Sequence, residues 1–254
     1  RIATHYPHGV IELMPISDDE FYAYKYVNGH PKNPTLGKLT VTAVGMLAEV
    51  QTGYPLLISE MTLLTAIRTA GAAALASQWL AKPNAKTLAL IGTGSQAEFQ
   101  ALAHHFLLGI DRVQYFDIDS HAMEKFADNM ERFNIELVAC QGGREAVQDA
   151  DIIVTATADK SHARVLENNW VVPGVHICGL GGDCPGKTEM EPAILKRAKV
   201  VVEYFEQAKI EGEIKHVDPD LVYGELWQII QDKLPGREND SEITLFDSVG
   251  FAIQ

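Results

Sequence analysis

Residues 87–117, TLALIGTGSQAEFQALAHHFLLGIDRVQYFD, constrain the fold of this chain more than any other stretch. The apolar run Leu88 to Ile91 has the character of a buried strand and ends in Gly92-Thr93-Gly94-Ser95-Gln96-Ala97. A helical stripe follows, with Ala97, Ala101, Leu102, His105 and Leu108 on one side. A second run, Val113 to Phe116, then closes on Asp117. Strand, G-x-G-x-x-A turn, helix, strand and acid in this order make a dinucleotide-binding unit. Gly92 permits the tight turn, Gly94 has no side chain to hold a pyrophosphate off the backbone, and Ala97 lets the helix pack close to the strand. Backbone N–H groups at the helix start then face the phosphates. Asp117 can accept hydrogen bonds from both ribose hydroxyls and repels a 2′-phosphate, so NAD is expected over NADP. The alternative is a glycine turn in a nucleotide-free α/β domain, and the joint occurrence of all five features weighs against it.

From Thr87 onward the chain alternates strand and helix, with apolar strands expected at 88–91, 113–116, 135–139, 152–155, 175–179 and 199–204. That pattern specifies an α/β, Rossmann-type, doubly wound parallel sheet. After Tyr204 the expectation is a helix near Leu221–Gln231, a polar loop at Gly236–Ser241 and a short apolar run at Ile243–Phe246. Residues 1–60 differ in texture. Aromatic and β-branched runs at Val10–Met14, Tyr22–Val27 and Leu39–Val44 are separated by turn signals at 17–19, 28–31 and 52–55, as in an antiparallel meander. Residues 62–80, TLLTAIRTAGAAALASQWL, form a connecting helix of small residues. The expected division is a small, mainly antiparallel β domain over 1–66, a Rossmann domain with its connecting helix over 67–247, and a return toward the first domain over 248–254. The chain starts at Arg1 and stops at Phe251-Ala252-Ile253-Gln254, mid-element in character, so natural sequence is expected beyond both ends.

The net charge of −13 repels phosphate backbones and argues against nucleic acid as a partner. No apolar run approaches the roughly 20 residues that span a bilayer. Three cysteines, Cys140, Cys178 and Cys184, suit a reducing cytoplasm rather than a disulfide scaffold. His104 and His105 are neighbours on a helix and point apart, so no metal is expected there.

A sheet of this kind binds its ligand at the carboxyl ends of its strands. The run Val175–Leu180 leads into Gly181-Gly182-Asp183-Cys184-Pro185-Gly186-Lys187, which presents Asp183 at a strand tip. An acid there can move protons while a nicotinamide moves hydride; a turn-capping Asp is the equal alternative. Lys187 reaches either a phosphate, a carboxylate or solvent. Glu12 and Lys25 interrupt apolar strands, and alternation leaves both a solvent-facing and an inward reading open. Arg68 sits in an otherwise nearly charge-free helix, and a buried guanidinium demands an anion. Thr155 and Thr157 follow the fourth strand, where hydroxyls line a nicotinamide or simply end a strand. The acidic group Glu203, Glu206, Glu211 and Glu213 reads as solvated surface rather than a metal site.

Four blocks, Lys25–Pro31, Ile91–Ala97, Gly181–Glu189 (GGDCPGKTE) and Phe246–Gly250, resemble the bacterial ornithine cyclodeaminase branch of the ornithine cyclodeaminase/mu-crystallin family. The resemblance runs along essentially the whole chain, and GGDCPGKTE is its most specific part. The family is usually longer at both ends, where further segments complete a substrate and dimerisation domain. The resemblance implies an NAD-dependent cytoplasmic homodimer that converts L-ornithine to L-proline and ammonia. It implies Asp183 as the acid/base. It places the substrate carboxylate with Arg1, Lys25 and Arg68, with Glu12 nearby and Val249 in the same pocket. It implies cofactor contacts at Thr40, Arg68, Ser95, Gln96, Asp117, Thr157, the strand end Ile177, Cys178, Gly179 and Leu180, Lys187 and Ser248, beside the turn glycines Gly92 and Gly94. An NAD(P)H-dependent cyclic imino acid reductase or amino acid dehydrogenase is the alternative enzyme, and a mu-crystallin-type binding protein the non-catalytic one.

Overall fold

The computed structural model describes residues 2–157, 164–182 and 187–250, apart from the side chain of His216. Two compact units emerge. One runs to Thr69 and takes in Gly250; the other spans Ala70–Val249.

The first unit is a five-stranded antiparallel meander in the order β1-β2-β3-β4-β5. Its strands are β1 (Ile2–Tyr6), β2 (Gly9–Ser17), β3 (Phe21–Gly29), β4 (Val41–Glu49) and β5 (Pro55–Glu60). The expected runs Val10–Met14 and Tyr22–Val27 lie within β2 and β3, Leu39–Val44 enters its strand only at Val41, and the Asn28–Pro31 turn lengthens into a loop with a 3-10 turn at Asn33–Leu36. Register places Met14 beside Lys25 and Lys25 beside Gly45. Because successive side chains alternate faces, Glu12, Met14, Lys25, Val27, Ala43 and Gly45 share one face. Met14, Val27 and Ala43 form its small core, with Val41 and Met61 against them. The opposite face carries a register row, Ile2, Leu13, Tyr26 and Val44, whose side chains are all exposed.

Helix α1 (Thr62–Leu80) occupies the residues expected for it. The second unit is an eight-stranded sheet in which every pairing is parallel. Its strands are β6 (Thr87–Ile91), β7 (Arg112–Phe116), β8 (Glu136–Ala139), β9 (Ile152–Thr155), β10 (His176–Gly179), β11 (Lys199–Val202), β12 (Val222–Glu225) and β13 (Thr244–Asp247), in the order β12-β11-β13-β10-β9-β6-β7-β8. The helices are α2 (Ala97–Leu108), α3 (Ser120–Met130), α4 (Gly143–Ala146), α5 (Pro192–Leu195), α6 (Phe205–Glu211) and α7 (Leu226–Ile230). Order reverses between β6 and β9, the switch point at which such sheets open a crevice for ligands.

Both faces of this sheet are covered, which is why its strands read as continuous apolar runs. Leu88 and Leu90 point into a core built with Ala73, Ala76 and Leu80 of α1, Ala101 of α2 and Phe126 of α3. Ala89 and Ile91 point the other way, toward Val147, Leu166, Ile194 and Ile214. The buried stripe of α2 is Ala97, Gln100, Ala101 and His104. The expected stripe ran through His105, which is only half-buried and gives a ring nitrogen to the Ile110 carbonyl at 2.6 Å. His104 instead meets Ser77 Oγ at 3.0 Å and the Gln100 carbonyl at 2.8 Å. This polar line continues through Ser77 to Cys178 and on to His176 and Thr244. Every member is buried. Burial lowers His104 to about 4 and His176 well below its ordinary value, and raises Cys178 to about 12. Both imidazoles are therefore neutral and Cys178 is a thiol, so the line acts as a hydrogen-bonded tie among α1, α2, β10 and β13.

One further strand, β12, replaces the start of the helix expected at Leu221. Three of its four residues, Val222, Gly224 and Glu225, pair with β11, and a register shift at Val200/Val201 passes over Tyr223. Helix α7 then begins at a capping box of Glu225 and Gln228.

Candidate functional site

At the carboxyl end of β6 the chain turns through Gly92, whose φ of 100° is closed to ordinary side chains. A Cβ there would lie 2.7 Å from the Ala156 carbonyl oxygen. Over Gly94, by contrast, nothing lies within 4 Å of the position a Cβ would take. This is a bare backbone surface at the start of a twelve-residue helix whose N-cap residue, Gln96, makes no side-chain cap. Asp117 ends β7 and hooks back onto the turn. Its Oδ2 accepts from Thr93 N at 2.6 Å and its Oδ1 from Asp119 N at 3.0 Å. Lys125, not singled out from the sequence, donates to the carbonyls of Thr93 and Gly94 at 3.3 Å. Gln96 Oε1 and Thr155 Oγ1 are buried at this edge with no hydrogen-bond partner among the described residues. The open backbone, the held carboxylate and these orphaned acceptors fit a dinucleotide.

The ends of β9 and β10 are joined by a residue whose role sequence reasoning missed. Glu189 is buried, and its Oε1 accepts from Thr157 N at 2.7 Å and from the Thr157 hydroxyl. Its Oε2 accepts from Gly181 N at 3.0 Å. A Cβ on Gly181 would fall 2.0 Å from Glu189 Oε1, so only glycine lets the carboxylate reach that N–H. Lys187 is buried as well, and its Nζ donates to the Thr157 carbonyl at 2.5 Å. Glu189 N in turn donates to Glu213 Oε1 at 2.8 Å. Ile177, Cys178 and Gly179 lie in β10, and Leu180 N donates to the Thr155 carbonyl at 3.0 Å. Ser248, just past β13, donates from N to Gly179 O at 3.0 Å and from Oγ to Glu203 Oε1 at 2.7 Å. The second unit thus gathers Gly92, Gly94, Ser95, Gln96, Asp117, Thr157, Ile177–Leu180, Lys187 and Ser248 at one edge of its sheet. Asp183 lies outside the described residues, as does Arg1.

The acidic group expected on the surface is mostly interior. Glu203, Glu211 and Glu213 are buried and only Glu206 is exposed. Backbone N–H groups, the Gln207 amide and the Ser248 hydroxyl supply the donors to these carboxylates that spacing alone does not reveal. Glu213, 2% exposed, is pushed up to about 8 by burial and by the charge of Asp247. Asp247, fully buried, is pushed up to about 7, chiefly by burial.

These shifts fix a pH response. In the folded state both carboxyls keep protons that their ordinary values of 4.5 and 3.8 would release, so stability falls as pH rises through that interval to the folded values. Neutral His104 and His176 act in the opposite sense below their ordinary 6.5, because there the unfolded chain gains protons that the folded one refuses. Between 6.5 and 8 the carboxyls dominate. The unfolding midpoint is expected to drop by a few degrees between pH 6.5 and 8, roughly 2 kcal/mol at about 1.4 kcal/mol per pKa unit. Asp247→Asn keeps the acceptor for Ile214 N and should shrink the drop, as read by thermal melts at both pH values. A midpoint that rises over this range contradicts the assignment.

Within the first unit, a cavity of 240 Å³ opens between the sheet and the start of α1. Met14, Met46, Met61 and Leu57 make it apolar, while Lys25, Thr65 and Arg68 add polar groups. Lys25 and Arg68, far apart in sequence, thus share one wall space, and the inward reading of Lys25 holds. Glu12 is buried on the same sheet face but outside the cavity lining. Thr40 precedes β4, and its carbonyl accepts from His30 N at 2.9 Å. Val249 is buried in the second unit. Among the described residues, no group of side chains has the makings of a metal site, and no helix is long and apolar enough to cross a membrane.

Residues 1–254 match the ornithine cyclodeaminase/mu-crystallin family. An ornithine cyclodeaminase of Agrobacterium fabrum is 54% identical over 254 residues, which are all of this chain and 72% of that protein. An archaeal alanine dehydrogenase, solved as a dimer with bound NAD, superposes with a TM-score of 0.91 at 36% identity, covering 99% of this chain and 79% of that one. A lysine cyclodeaminase structure, solved to explain recognition of L-lysine, L-ornithine and L-2,4-diaminobutyric acid, gives a TM-score of 0.93 at 32% identity over 99% of this chain and 74% of that one. A family match along the whole length, on a sheet whose carboxyl edge has the form described above, places this chain in the ornithine cyclodeaminase/mu-crystallin family.

Proposed function

We propose that this protein is an NAD-dependent ornithine cyclodeaminase that converts L-ornithine to L-proline and ammonia. The observation that carries the reading is the 54% identity to a cyclodeaminase along the full length of this chain. The dinucleotide-shaped edge of the parallel sheet and the cationic, otherwise apolar cavity of the first unit supply the parts such a reaction needs. NAD held at the glycine turn would supply a reversible hydride acceptor, which suits a reaction with no net redox change.

The chain's own residues do the rest. Gly92, Gly94, Ser95 and Gln96 receive the pyrophosphate at the start of α2, and Asp117 receives the ribose hydroxyls. Thr157, the Ile177–Leu180 strand end, Lys187 and Ser248 border the nicotinamide half, with Thr40 and Arg68 as further cofactor contacts. Arg1, Lys25 and Arg68 hold the α-carboxylate, which orients the α-hydrogen. Glu12 and Val249 complete the substrate surroundings. Asp183 takes protons from the amines as each becomes a nucleophile and returns them as ammonia departs. An apolar cavity wall keeps water from the imine formed on the substrate.

In this reading the first unit, with segments beyond the present chain ends, is the substrate and dimerisation domain and the second is the NAD domain. A homodimer is supported by the exposed row Ile2, Leu13, Tyr26 and Val44, since contiguous apolar surface marks an association face. A cytoplasmic site of action is supported by the unlinked, buried Cys140 and Cys178.

Ornithine carrying deuterium at its α-carbon tests the reaction. The same carbon gives up and regains hydrogen, so proline is expected to keep the label at its own α-carbon when excess unlabelled cofactor is present, by mass spectrometry. Loss of the label to the cofactor pool, or stoichiometric accumulation of free NADH, points to a dehydrogenase or imino acid reductase instead.

A further inference from the structure

Helix α1 carries four hydroxyl side chains that differ in what they bond, and the first, Thr62 Oγ1, accepts from Ala43 N at 2.9 Å. Thr69 Oγ1 donates to the Thr65 carbonyl at 2.7 Å, and Ser77 Oγ donates to the Ala73 carbonyl at 2.9 Å. Both follow the usual habit of a helical hydroxyl, which folds back onto the carbonyl four residues earlier. Thr65 does not. The carbonyl of Met61 accepts from Thr65 N at 2.8 Å, while Thr65 Oγ1 is buried with no hydrogen-bond partner among the described residues. Thr65 is 8% exposed and lines the 240 Å³ cavity, one helical turn before Arg68 and opposite Lys25. A buried hydroxyl left unpaired loses its hydration with nothing in return. Its persistence beside a cavity is explained by a partner that enters the cavity.

We infer that the Thr65 hydroxyl is a specificity-determining contact for the α-carboxylate of the amino-acid substrate, a third donor beside Lys25 and Arg68. This rests on the substrate reading given above. The chemistry selects the carboxylate over the amines. No carboxylate side chain is among the described residues lining the cavity, so nothing there complements an ammonium. Two cationic side chains share the lining, and a hydroxyl can donate to the same anion with its own O–H. A neutral donor in the same lining as two long cations also discriminates against an amide at that position, because a carboxamide offers one acceptor oxygen where the carboxylate offers two.

Thr65→Val keeps the shape of the side chain and removes the O–H; Thr65→Ser keeps the O–H. In the full-length protein, Thr65→Val is expected to raise KM for ornithine and Kd for L-proline about 10-fold, with kcat and NAD affinity within about 2-fold. Thr65→Ser should bind L-proline like the wild type. Prolinamide, which lacks the carboxylate, should bind the wild type and Thr65→Val equally. Unchanged proline affinity in Thr65→Val, with NAD affinity intact, overturns the inference. So does an equal loss for proline and prolinamide, which assigns the hydroxyl a structural role. The comparison is made on binding, so a protein that binds proline with this pattern but does not cyclise ornithine fails the functional reading while supporting the Thr65 contact.

Discussion

Asp183→Asn is expected to lower the rate of proline formation by at least about 100-fold while NAD affinity stays near the wild-type value. A positioned acid/base contributes roughly 100- to 10,000-fold, and an amide can neither take up nor return the protons that the two amines exchange. The residues on either side of its segment support the assignment. Gly181 N is held by Glu189, Lys187 Nζ is held by the Thr157 carbonyl, and both anchors lie at the carboxyl edge of the parallel sheet. Steady-state turnover of ornithine, paired with a titration of NAD, separates a catalytic from a structural role. Near-normal turnover in the Asn variant removes Asp183 from the mechanism. A parallel loss of NAD affinity marks it as a structural residue.

The second large effect concerns the cofactor. The wild type is expected to use NAD about 100-fold better than NADP, in the concentration needed to support proline formation. The carboxylate of Asp117 is fixed by Thr93 N and Asp119 N and cannot swing away from a 2′-phosphate. Like charges about 4 Å apart in a partly shielded site repel by about 4 kcal/mol, so a 100-fold preference is a modest expectation. Asp117→Asn removes the charge and keeps an oxygen to receive Thr93 N, so the turn persists while the preference narrows to within about 10-fold. Equal use of both cofactors by the wild type would take Asp117 out of the ribose site. A variant with weakened NAD use and unchanged discrimination would show that the carboxylate only braces the turn.

Much of this architecture was legible because its signals are local. The strand–turn–helix–strand–acid order of residues 87–117 and the small-residue helix Thr62–Leu80 appear where expected. What escaped was what depends on distant partners. Val222–Glu225 is a strand only because β11 lies beside it; alone, the segment reads as the start of the following helix. The stripe of α2 keeps the expected Ala97 and Ala101 but turns through His104 instead of His105, because His104, a polar residue, is buried against Ser77, 27 positions away in sequence. Glu213 looks like surface until the backbone of Glu189 and Met190 comes to meet it. Glu189 stood inside the most specific motif without a role, since its task is to receive N–H groups from two other strand ends. Lys25 and Arg68 are connected in the sequence only through the family resemblance, and it is the meander and α1 that bring them to one cavity.

The grip of Glu189 on Gly181 and Thr157 has an evolutionary consequence. A side chain at position 181 has nowhere to go while a glutamate stands at 189, because its Cβ would overlap the carboxylate. A shorter acid at 189 would free that space but surrender the N–H it holds. The two positions are therefore coupled in one order: a side chain at 181 is admitted only in a sequence that has already given up the glutamate at 189, and with it the tie between the ends of β9 and β10.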